Sequence, residues 1–146
     1  ALELAKHPPA GVTGIINLDG PHLQYETEDT RSFQVPILSF LSTDFTMEKQ
    51  DIGLHGTLQQ LFRERSRGAY ILEIAGTAHN NFTDLNFTPV LKYFTPLLGK
   101  VDNAKMAGYV NQAILEFIKR TETGELGQPL LPEMNDVKQV LIEWKE

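Results

Sequence analysis

An α/β fold of parallel strands with helices on both faces of the sheet is the class this sequence predicts, on three observations. Three short runs, GVTGIINL (11–18), VPILSFLS (35–42) and AYILEIAG (69–76), are apolar at nearly every position, as strands buried on both faces must be. Stretches long enough for a helix separate them, which is the pattern of β-α-β units. Polar turn or capping residues then follow each run: Asp19-Gly20, Thr43-Asp44 and Gly76-Thr77-Ala78-His79. Strands so uniformly apolar belong inside a larger sheet, because an edge strand would expose its faces and its unpaired backbone groups. The 146 residues are therefore expected to form the second half of a fold.

The elements follow in order. ALELAKH is built of helix formers and is stopped by Pro8 and Pro9, so a helix is under way at the first residue. The first strand is expected over 11–18 and ends in the turn DGPH. After an acid-rich polar stretch, the second strand runs over 35–42, with Pro36 at its opening, where a proline is tolerated. Leu54, Leu58, Leu61 and Phe62 share one face of a helix that leads to the third strand. Thr88 and Pro89 make an N-cap and first-turn pair for a helix that Gly99 would end. Met106, Tyr109, Val110, Ala113, Ile114 and Phe117 recur at three and four, predicting an amphipathic helix over 103–120. A turn-rich stretch follows, and VKQVLIEWKE reads as a short closing helix.

Composition narrows the function. Thirteen basic against 19 acidic residues give a net charge of -6 with no basic stripe, which argues against nucleic acid as a partner. No cysteine is present, so thiolate catalysis and thiolate metal sites are excluded. No apolar run approaches the roughly 20 residues of a transmembrane helix, and no group of residues has metal-ligand spacing.

In open α/β sheets the binding crevice lies at the carboxyl ends of the strands. His79, Asp19 and Asp44 all stand there. Taken singly, each has an ordinary explanation: a loop hydrogen bond for His79, a turn for Asp19 with Gly20, a helix cap for Asp44. It is their joint placement at three strand ends that points to chemistry. His7, His22 and His55 lie beside prolines or glycines and are read as structural.

Four blocks, GIINLDGP, VPILSFLSTDF, YILEIAGTAHNNFTDLNF and GKVDNAKMAGYVNQAILEFIKR, resemble in order and spacing the C-terminal half of α/β-hydrolases of the platelet-activating-factor acetylhydrolase type. The most specific piece is HNNFTD, a histidine followed three residues on by Phe82 and five on by Asp84. The resemblance covers residues 1–120 and leaves 121–146 as a tail with a possible short helix. Dienelactone-hydrolase-like enzymes of the same superfamily are a related alternative.

What the resemblance implies is a serine-type acyl ester hydrolase in which the chain order is serine, acid, histidine. ALELAKHPP resembles the helix that leaves the nucleophile elbow, so the serine and the N-terminal half of the fold are expected on polypeptide before Ala1. Of the chain's serines, Ser32, Ser39, Ser42 and Ser66, none is flanked by the glycines of a G-x-S-x-G elbow. His79 would be the general base, and Asp19 or Asp44 the acid that orients it. Asp44 follows the strand that carries the acid across most of the superfamily, whereas LDG matches the acetylhydrolase type, as HNNFTD does; Asp19 is favoured on that agreement. No metal or organic cofactor is implied. The substrate would be a small-molecule or lipid ester. A non-catalytic binding module that kept the sheet and lost the chemistry is the reading from another class. Phe82 is expected to pack beneath the loop, and Asp84 to accept backbone N–H groups. Asn81-Phe-Thr83 and Asn86-Phe-Thr88 match the glycosylation sequon. A glycan beside the histidine would block it, and both are discounted.

Overall fold

The computed structural model describes residues 2–20, 32–43, 54–83 and 98–143, with the side chains of 54–57 left aside. The element order is α1 (Leu2–Lys6), β1 (Ile15–Leu18), β2 (Ile37–Ser42), α2 (Leu54–Arg65), β3 (Ala69–Ile74), a 3-10 turn (His79–Phe82), α3 (Asn103–Thr123) and β4 (Val137–Ile142). The strands form one four-stranded sheet in the order β1-β2-β3-β4. β1, β2 and β3 are parallel, with Ile15 opposite Ile37 and Ile37 opposite Ala69, while β4 runs antiparallel to β3. The predicted α/β class is therefore the observed one, in a mostly parallel sheet.

Strand periodicity sorts the side chains into two cores. On one face Ile37, Leu41, Ala69 and Ile71 pack with Leu2 and Ala5 of α1 and with Leu58 and Phe62 of α2. On the other, Leu38, Phe40, Tyr70, Leu72 and Ile74 pack with Met106, Ala113 and Phe117 of α3. Every residue of β2 is buried, as expected of an interior strand. Pro36 stands just before β2, and its carbonyl accepts from the Ile15 N–H at 2.9 Å. β1 is shorter than the 11–18 expected from sequence. Among the described residues it has no neighbour on its outer side, and Leu18 is 42% exposed.

The amphipathic helix is present and three residues longer than the periodicity alone indicated. Asp102 caps it by accepting the Lys105 N–H at 2.8 Å, and Gly124 ends it at φ 74. Asp102→Ala is expected to cost about 1 kcal/mol, read as a shift in the urea midpoint without a change in slope.

The closing segment is a strand and not the helix expected. Val137 and Leu141 pack on the α3 side of the sheet while Val140 and Ile142 point to the other side, a period of two. The β-branched residues suit that period, and the free edge of β3 supplies the backbone partners. The stretch before β4 is tied down as well. Leu130 and Leu131 are buried, and Gln139 accepts the Leu130 N–H at 2.7 Å while donating to the Leu131 carbonyl at 3.3 Å. Gly127 donates its N–H to the Tyr70 hydroxyl at 3.0 Å, and Arg120 bonds the Gln128 and Pro129 carbonyls while paired with Glu116 at 2.8 Å. Lys105 pairs with Asp136, joining the start of α3 to the approach to β4. The hydrogen bond from Lys105 holds the Asp136 carboxyl below the usual carboxylate range. This surface tie is therefore present at neutral pH and lost as pH falls through that lowered range. The expected helix over 88–99 lies outside the described residues, except for its last positions.

Candidate active site

The site is assembled at the carboxyl ends of the three parallel strands. At the end of β1, Asp19 donates its N–H to the Phe40 carbonyl at 3.1 Å and then turns with φ 51. Aspartate is one of the few side-chain-bearing residues that enter this left-handed region readily. The turn brings its carboxylate back over the sheet, where the side chain is fully buried. Oδ1 accepts the Ser42 N–H at 2.8 Å, so the end of β2 fixes one carboxylate oxygen. The other, Oδ2, lies 2.9 Å from His79 Nδ1.

His79 reaches this position through the end of β3. Gly76 adopts φ 75 and turns the chain. Thr77 and Thr43 both donate their hydroxyls to the Ile74 carbonyl, at 2.7 and 2.8 Å, and the Thr43 N–H bonds the Thr77 carbonyl at 3.0 Å. A continuous network thus runs from Asp19 through Ser42 and Thr43 to Thr77 and on to the 3-10 turn that His79 opens. Phe82 packs against the α3-side core with its ring centroid 6.0 Å from that of Phe40, beneath the loop as expected.

Burial differs sharply within the pair: the Asp19 side chain is 0% exposed and that of His79 is 60% exposed. A buried carboxylate is costly unless it is hydrogen-bonded. An ionised Oδ2 can only accept, which would place the imidazole proton at Nδ1 and leave Nε2 without it. In this geometry an imidazole could exchange a proton with a partner at the surface, with the carboxylate orienting the ring.

Asp44 lies outside the described residues, as do His22, Asp84 and Asn86. His7 is exposed beyond α1. Ser39, Ser42 and Ser66 are buried, Ser66 giving its hydroxyl to the Phe62 carbonyl at 2.6 Å. Asn81 is 3% exposed and uses its side-chain oxygen internally, so its sequon is closed in the folded protein. Among the described residues no group of three or more His, Asp or Glu could hold a metal ion, and no helix is long and apolar enough to cross a membrane.

Sequence reasoning missed the supporting residues. Ser42 contributes through its backbone N–H, which no side-chain pattern reveals. Asn17, 7% exposed, directs its amide toward the Ser39 hydroxyl at 3.4 Å and the Gly20 carbonyl at 3.5 Å, beneath the Asp19 turn. Its position inside an apolar run was a signal available in the sequence, since a buried amide needs partners. No family model, curated protein or solved structure matches the chain.

Proposed function

We propose that this chain carries the acid and base of a serine-type acyl ester hydrolase, with His79 as general base and Asp19 as the acid that orients it. The observation that carries the reading is the 2.9 Å contact between His79 Nδ1 and a buried Asp19 carboxylate whose second oxygen is held by Ser42 N–H. A serine hydroxyl is a poor nucleophile at neutral pH. In the proposed reaction His79 Nε2 takes its proton as the oxygen attacks the ester carbonyl, and returns the proton to the departing alcohol. An acyl-serine forms; water then gives a proton to the same Nε2 as it attacks the acyl carbon, and that proton passes to the serine oxygen as the acid is released. Throughout, Asp19 holds Nδ1–H and compensates the imidazolium.

The nucleophile belongs to a different stretch of polypeptide in this account, because no serine here has the glycine-flanked elbow. The partly exposed β1 edge is where the N-terminal half of a hydrolase sheet, with its elbow strand, would pair. The resemblance of HNNFTD and LDG to the acetylhydrolase type further supports short acyl esters as substrates.

That same lack of an elbow serine also favours a second reading, a binding module without chemistry. One assay separates the two. The intact protein is expected to hydrolyse p-nitrophenyl esters at a rate unaltered by chelator, falling as the acyl chain lengthens. No hydrolysis by folded protein would favour the binding module, an optimum at long chains would remove the acetylhydrolase-like specificity, and inhibition by chelator would remove the metal-free mechanism.

A further inference from the structure

His79 has an unusual mechanical problem. Its ring is mostly exposed, so packing does not hold it, and one hydrogen bond to Asp19 is all that orients it among the described residues. A single such bond cannot fix the ring when the backbone beneath it is free to move. The position of the imidazole therefore depends on how firmly residues 78–82 are held.

We infer that Asn81 is the positioning residue for His79, acting as a latch between the histidine turn and the segment that enters α3. Its side-chain Oδ1 accepts two backbone N–H groups, that of Ala78 at 2.7 Å and that of Gly99 at 2.8 Å. The first closes the turn around His79, reinforced by the Asn81 N–H bonding the Ala78 carbonyl at 3.0 Å. The second ties the turn to a segment 18 positions later in the chain. That segment lies tightly against the loop. A Cβ at Gly99 would fall 2.1 Å from the Gly76 carbonyl oxygen and 2.7 Å from the Ala78 nitrogen, and the Val101 N–H bonds the same Gly76 carbonyl at 3.1 Å.

Ala78 and Asn81 are buried, at 5% and 3% exposed, and Gly99 is half-buried. At the buried Ala78 N–H water cannot readily replace the side-chain oxygen, so removing it leaves that donor unsatisfied, breaks the tie to Gly99 and releases the turn. Asn81 touches neither the imidazole nor any reacting atom; it acts through the backbone on either side of His79. The inference rests on the proposed base role of His79, but its readout does not require activity.

The test is NMR of ¹⁵N-histidine-labelled intact protein, following the tautomer of His79 and the solvent exchange of its Nδ1–H. Wild type should show the Nδ1-protonated ring with slowed exchange. Asn81→Ala should speed that exchange at least tenfold at equal fold content by circular dichroism. Asn81→Asp, which keeps an acceptor oxygen in place, should restore most of the protection. If Asn81→Ala fails to fold, Asn81→Ser, whose hydroxyl is too short to reach both N–H groups, takes its place with the same expected result. Unchanged exchange in the Ala or Ser variant would overturn the latch, as would an Asp variant as impaired as the Ala variant. A wild-type ring without Nδ1–H protection would instead remove the Asp19–His79 reading itself, and the latch with it.

Discussion

If the proposed hydrolase reading holds, Asp19→Asn in the intact protein is expected to lower ester turnover by about 10⁴-fold while leaving the fold in place. The structure gives the reason atom by atom. The Ser42 N–H is a donor aimed at Oδ1, so it will select the carbonyl oxygen of the new amide. The amide nitrogen then takes the place of Oδ2, 2.9 Å from His79 Nδ1. A donor at that position forces Nδ1 to accept, which moves the ring proton to Nε2 and removes the lone pair that would take the serine proton. Asp44→Asn is expected to have a mild effect. The measurement is kcat/KM for a short ester beside the thermal midpoint of each variant. A larger loss from the Asp44 change, at equal stability, would transfer the acid's role to Asp44.

Phe40→Ala should produce the largest loss of stability. Phe40 is fully buried at the centre of the sheet, packs beneath Phe82, and its carbonyl receives the Asp19 N–H. Truncating a buried phenylalanine costs about 3–5 kcal/mol, because the lost transfer energy is joined by a cavity that close packing cannot fill. Activity should fall beyond what the unfolded fraction explains, since Phe82 of the histidine loop packs on that ring. Leu115→Ala, at a side chain 68% exposed on α3, should change stability by no more than about 0.5 kcal/mol. Urea denaturation of both variants gives the comparison, and a cost below about 1 kcal/mol for Phe40→Ala would contradict this packing account.

The sequence made the parallel strands and α3 legible because burial on two faces and a 3.6-residue repeat each leave a pattern in single residues. β4 was not legible in the same way. Lys138 and Gln139 interrupt its apolar alternation, and its strand conformation depends on the waiting edge of β3, a partner more than 60 positions earlier in the chain. The joint placement of Asp19 and His79 at strand ends could be read from sequence, and their contact is what the fold supplies. Their support could not be read. Ser42 acts through its N–H, and Asn81 looked like part of a sequon when its oxygen is in fact occupied by two backbone donors.

Reaction with a serine-directed fluorophosphonate tests the central claim most directly, with the labelled residue mapped by mass spectrometry in the intact protein and in its His79→Gln variant. One equivalent of label is predicted on a serine within a G-x-S-x-G elbow outside residues 1–146, strongly diminished when His79 is replaced. Label on Ser32, Ser39, Ser42 or Ser66, or no label on folded protein, would contradict it.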